Sequence, residues 1–153
     1  FEAARSFWEE SLAIRRELRD RRGVALSLGN LADLAFAQGA FADARALGGE
    51  SLVIARELGD MRQIAYLLDG LAAVDSVLGR LFRAARVWGA AERLREDIGL
   101  LSGFGRSDYD QRVDSARVAV GDDTAFDRAW QQGRALTLEQ AIDLALDETV
   151  TRP

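Results

Sequence analysis

The chain repeats itself at an offset of 40 residues. That offset lays Phe41 on Phe1 and Leu81 on Phe41, Ala44 and Ala84 on Ala4, and Gly79 on Gly39, without a gap. Glu10, Ser11, Leu12, Ile14, Arg16, Glu17, Leu18 and Asp20 recur as Glu50, Ser51, Leu52, Ile54, Arg56, Glu57, Leu58 and Asp60. Farther on, Ala25, Leu28, Leu31 and Ala32 recur as Ala65, Leu68, Leu71 and Ala72. A unit of this size cannot bury its apolar face alone, so the period demands a stacked array in which each unit covers the next.

Inside a unit the apolar spacing is helical. Leu28, Leu31, Leu34 and Ala35 form one stripe, and Phe41, Ala44, Leu47, Ser51, Leu52 and Ile54 another, which gives two helices per unit. Gly39 and Gly79 fall where the first helix turns back, because glycine tolerates the left-handed backbone that ends helices. Leu58-Gly59-Asp60 closes the second helix the same way, with Asp60 placed to cap the next. Small residues at Ala32, Ala44, Ala72 and Ala84 let paired helices approach closely.

Chemistry is constrained by what is missing. Among 153 residues there is no Cys and no His, and every one of the 20 basic residues is Arg. This removes disulfides, zinc sites, the commonest proton-transfer side chain, a Schiff-base lysine and a phosphate-loop lysine. Carboxylate pairs such as Asp122 and Asp123, or Glu96 and Asp97, lack calcium-loop spacing and any partner that would split their pKa values. Capping explains the first pair and solvation the second. A hydrolase is left without a nucleophile and base pair, so the chain reads as a binding surface and not an enzyme, with no cofactor and no metal.

The segment from Ile64 to Phe82 is apolar, yet Asp69 and Asp75 lie within it, each costing about 2.5–3.5 kcal/mol at a bilayer centre. It reads as a buried helix in a soluble, cytoplasmic protein without membrane contact. No secretory signal is visible at Phe1, and the chain reads as an excised piece. After Ile98-Gly99 the period breaks. Leu100 to Arg106 reads as a connecting loop, followed by three shorter helices: Ser107 with Asp110 as an approximate capping box, Asp122 or Asp123 capping a helix with Phe126 and Trp130, and Thr137 with Gln140 opening the last. That last helix carries Leu138, Ala141, Ile142, Ala145 and Leu146 on one face.

Leu28, Leu31-Ala32, Gly39, Phe41, Ala44 and Ser51 resemble the tetratricopeptide pattern of large, large-small, Gly, aromatic, small and small. Leu68, Leu71-Ala72, Gly79, Leu81, Ala84 and Ala91 repeat it, with Asp75 standing where an aromatic or apolar residue is usual and Leu-Gly-Asp replacing the usual unit-ending Pro. The resemblance implies an all-α, right-handed superhelix of helix pairs over 1–99, a helical extension packed on it over 100–150 and a linker at 151–153. The tail, from Ala125-Phe126 through Ala129-Trp130 to Gln140-Ala141, together with Ala84 to Glu92, is similar to bacterial signalling proteins in which a P-loop regulatory ATPase, LuxR-type or related, precedes such repeats. It implies a non-catalytic sensing or scaffolding arm that binds a protein segment or an attached domain; the alternative is a free-standing adaptor or homodimerisation module.

By the same resemblance, ligands meet the concave face made by the first helix of each unit, which nominates Asn30, Asp33, Phe36, Tyr66, Asp69, Ala73 and Ser76. For each, a solvated or packing residue is the commoner explanation. The carboxylate-clamping variant needs Lys and Asn, whereas this face offers Leu26, Gly29 and Asp33, which disfavours chaperone C-terminal tails. Trp88 and Trp130 read as core. Phe1, Phe7 and Trp8 are the candidate interface, since the first helix lacks the partner that the repeat gives its counterparts. Arg15, Arg16, Arg19, Arg21 and Arg22 form a basic cluster, but Glu9, Glu10, Glu17 and Asp20 surround it. A solvated face with pairs at three- and four-residue spacing is expected there, without nucleic-acid binding.

Overall fold

The computed structural model describes the backbone of residues 1–100 and 106–148 and the side chains of 1–100 and 108–148. Most of the expected loop between Leu100 and Arg106, the Ser107 capping box and the linker at 151–153 lie outside the described residues. Eight helices follow in order: α1 (Glu2–Glu17), α2 (Arg21–Ala37), α3 (Phe41–Leu58), α4 (Met61–Val77), α5 (Leu81–Asp97), α6 (Arg106–Val120), α7 (Asp123–Arg134) and α8 (Leu138–Leu146). No strand occurs among the described residues. The fold is an all-α helical repeat of tetratricopeptide type.

The turns follow the glycines and aspartates. Gly39, Gly59 and Gly79 take φ of 75, 65 and 81°, the left-handed region that lets a helix stop and the chain reverse. Asp20 accepts a hydrogen bond from the Gly23 amide at 2.9 Å and Asp60 one from the Gln63 amide at 3.1 Å. Asp122 caps α7 through the Ala125 amide at 3.0 Å, and Thr137 and Gln140 form a reciprocal capping box on α8. Each cap contributes about 1 kcal/mol.

Consecutive helices pack on one another from α1 to α5, and α7 then lies along α5 while α8 touches α3, α4 and α5. One continuous core joins Leu52, Ile64, Leu68, Val87 and Trp88 to Phe126 of α7 and Ile142 of α8. A second cluster holds Leu12, Val24, Leu28 and Leu31, with Trp8, Leu47 and Ile54 against it. Burying a Leu fully, as at Leu28, Leu52 and Leu68, contributes about 1.5–3 kcal/mol. Ala32, Ala44, Ala72 and Ala84 are all buried between helices.

Three departures from expectation have physical causes. Trp88 is core at 1 % exposure, but Trp130 is only half-buried, because its indole N–H donates to the Glu92 carboxylate and holds that edge at the surface. The arginines of the first turn region pair across helices and not along their own: Arg16 with Glu50, Arg21 with Glu57 and Arg22 with Asp60. Arg15 reaches instead into the structure, donating to the Gly23 carbonyl at 2.9 Å and to Ser27 Oγ at 3.1 Å. Finally Asp75, the departure from the repeat pattern, is completely buried and sits among three arginines.

Candidate functional site

A groove of about 500 Å³ opens between α2, α4 and α6. Its floor is small and apolar. Gly29 and Ala32 of α2 face Leu67, Gly70 and Ala73 of α4, and Gly48 of α3 lies behind them. Small side chains here leave the space between the two first helices of successive units unfilled, so the repeat pattern itself creates the groove. The volume falls within the range typical of ligand pockets, about 300–1,000 Å³.

Its rim is polar. Asp33 and Phe36 of α2, Tyr66 and Asp69 of α4, Arg95 of α5, and Asp108, Tyr109 and Arg112 of α6 line the opening. Tyr66 donates its hydroxyl proton to the Asp33 carboxylate. Crowding by protein on one side, with the other side open to solvent, raises the Asp33 carboxyl to about 6, against the opposing pull of Arg112. Arg95 pairs with Asp69, donates to the Tyr109 hydroxyl at 3.2 Å and lies 5.0 Å over its ring. Burial and the charge of Asp69 push the Tyr109 phenol up to about 12, which leaves it a hydrogen-bonding group and not a base. Arg112 places its guanidinium carbon 4.8 Å from the centroid of the Phe36 ring.

Of the residues nominated from sequence, Asp33, Phe36, Tyr66, Asp69 and Ala73 line this groove. Ser76 lies in a shallower neighbouring depression that also touches Ala73, and Asn30 is half-buried and lines neither. The cations were missed. A face of α2 and α4 alone offers none, but α5 and α6 bring Arg95 and Arg112 to it. Arg95 was findable in principle, since Asp69 and Arg95 occupy the first and the second helix of the same unit; Arg112 lies beyond the repeat, where no periodicity places it. At the other end of the array, Phe1 and Phe7 are 70 % and 61 % exposed, while Trp8 is half-buried against the Leu12 cluster and meets Phe7 edge-on.

A second polar cluster is closed to solvent. Asp75 Oδ1 accepts from Arg45 Nη1 at 3.2 Å and Arg80 Nη1 at 3.3 Å, and Oδ2 lies 2.9 Å from Arg83 Nε. Arg45 and Arg83 also donate to the Ala145 carbonyl, both at 3.1 Å, and Arg45 to that of Asp147 at 3.0 Å. Two guanidiniums thus cap the C-terminal end of α8, where carbonyls lack helical partners and the helix dipole is negative. Burial raises the Asp75 carboxyl above its usual range, against the pull of Arg83, Arg45 and Arg80. This cluster fastens α8 to α3, α4 and α5 and presents nothing to a ligand.

Neither cluster pairs a nucleophile with a base, and no group of three or more metal-ligating side chains occurs among the described residues. No helix among them is long and apolar enough to cross a membrane. The groove combines an apolar floor, an aromatic wall and charges of both signs at the rim. Comparison with known proteins gives one match: residues 1–57 fit the model of the tetratricopeptide repeat family. No curated protein and no solved structure matches the chain. The matched segment runs from α1 through α3, and the same helix-pair architecture, with the same glycine turns, continues beyond it through α5.

Proposed function

We propose that this chain is a non-catalytic interaction arm whose α2–α4–α6 groove receives a segment of another protein or domain. The observation that carries the reading is the groove itself: an apolar, largely preformed concavity with a few polar groups converging on its rim is the usual anatomy of a binding site. Tetratricopeptide repeats are generally protein-interaction modules, which supports the same class.

At finer grain, the arm belongs to a bacterial regulator in which a P-loop ATPase or a DNA-binding domain shares the chain. The similarity of the α5 and α7–α8 sequences to such proteins supports this. So does the fastening of α8, which holds the exit of the described chain in a fixed relation to α3 and α5. Binding would then bias an attached domain by favouring one of its docked states, which requires a difference in affinity between the two states. The test is the sequence of the native parent chain. A phosphate-binding loop upstream or a helix-turn-helix downstream supports the regulator. A parent with neither sinks it.

The alternative is an adaptor or homodimer, favoured by the exposed Phe1 and Phe7. Sedimentation of the chain and of a Phe1→Ser, Phe7→Ser variant separates the two: a dimer that the variant abolishes supports self-association through α1, and a monomer excludes it.

A further inference from the structure

Arg112 is the one groove-lining residue that behaves as an occupant and not as a wall. It comes from α6, outside the helix pairs, and its guanidinium stacks on Phe36 while facing the carboxylate of Asp33. Tyr66 holds that carboxylate through its hydroxyl. Aromatic face, fixed carboxylate and a partly desolvated wall are the three elements of a guanidinium receptor.

The helix that delivers Arg112 buries little of its own surface. Ala116 is its one fully buried residue among those described, with Tyr109, Val113 and Val120 half-buried against the core. Ties lie on either side of Arg112: Tyr109 meets Arg95 and Trp88, and Arg117 pairs with Asp127 and lies over Phe126. Phe36 and Asp33 engage the Arg112 head group, so swinging this exposed side chain aside gives up one solvent-exposed cation–π contact and one screened attraction.

We infer that the groove is a seat for an arginine-bearing peptide segment, with Phe36 stacking the guanidinium and Asp33 pairing it, and that Arg112 is a resident competitor which the partner's arginine displaces. This rests on the groove being the binding face and names what it recognises. Arginine is favoured over lysine because a planar guanidinium stacks and forks where an ammonium does neither. The flanking residues of the segment are small or apolar, since the floor at Ala32, Leu67 and Ala73 offers them no polar partner.

The test uses a fluorescein-labelled capped tripeptide with arginine between two leucines, its binding followed by anisotropy at neutral pH. Removal of the competitor in Arg112→Ala should tighten binding about threefold, the scale of one solvent-exposed cation–π contact. Adding Asp33→Asn or Phe36→Leu to that background should abolish the gain, and a lysine peptide should bind more weakly than the arginine one. Equal affinity for wild type and Arg112→Ala, or full affinity without Asp33, overturns the proposal. Arg112→Gln, with helical content checked by circular dichroism, serves the same comparison if the alanine variant misfolds. The outcome is independent of which domains the parent chain carries, so a failure here leaves the regulator question standing.

Discussion

Gly89 and Gly133 mark the place where α5 and α7 touch backbone to backbone. A Cβ on Gly133 would lie 1.8 Å from the Arg86 carbonyl oxygen, and one on Gly89 would lie 2.1 Å from that of Trp130. No rotamer change relieves an overlap with main chain. Gly133→Ala should therefore force α7 off α5 and cost about 3 kcal/mol, the upper end of overpacking penalties. Urea unfolding followed by helical ellipticity reads this directly; an unchanged midpoint would mean that the two helices do not cross here. Gly39→Ala is the contrast, since a Cβ there meets nothing within 4 Å and pays only for its φ of 75°.

Asp75→Asn keeps the shape of the side chain and removes the carboxylate that Arg45, Arg80 and Arg83 share. Breaking a buried pair leaves charge uncompensated, which costs about 3–5 kcal/mol. Because Arg45 and Arg83 also cap α8, the loss should appear first as faster hydrogen exchange at the amides of Ile142 to Ala145, ahead of global unfolding. Protection in α8 equal to wild type would show that the arginines hold α8 without Asp75.

Much of this was legible in the sequence, and the limits follow from the repeat. The period of 40 fixed helix pairing, the turns at Gly39, Gly59 and Gly79, and the caps at Asp20 and Asp60, because each of those is a local or neighbouring-unit event. The α7 and α8 caps were equally local. What lay beyond reach was long-range: Arg45 meets Ala145 and Asp147 about 100 residues away, and Arg112 meets Phe36 across the whole array. Asp75 announced itself only as a misfit to the pattern, and its arginine partners, two of them on other helices, could not be read from spacing.

Arg19 stands where the repeat elsewhere puts Gly59 and Gly99, and it adopts the same left-handed backbone, with φ 55° against 65° and 78°. A side chain with a Cβ pays about 1 kcal/mol or more in that region. Arg19 is exposed and carries no cross-helix pair of the kind that Arg16 and Arg21 make. Arg19→Gly should raise stability by about 0.5–1 kcal/mol, the relief of strain being partly offset by the greater freedom of glycine in the unfolded chain. A higher thermal midpoint checks it, and a lower one would place a stabilising contact on Arg19.

The Asp33 carboxyl is raised from 3.8 to about 6 in the folded chain, by burial that outweighs Arg112. A native state that holds its proton more tightly than the unfolded chain is favoured by that proton, so this contribution is complete below about pH 3.8 and is lost as the pH rises through about 6. Tyr66 faces the group from α4 and Arg112 from α6, while Asp69, Arg95 and Asp108 line the same groove. Tyr66 donates to the carboxylate, and an asparagine at this position can still accept that bond. Asp33→Asn should therefore be more stable than wild type at pH 7, with the two converging near pH 4, as read from denaturant midpoints across that range. Arginine-peptide binding should run the opposite way and strengthen as the pH climbs through about 6, because the seat needs the ionised carboxylate. A carbon-13 carboxyl titration of Asp33 with a midpoint near 4 would remove the basis for both trends.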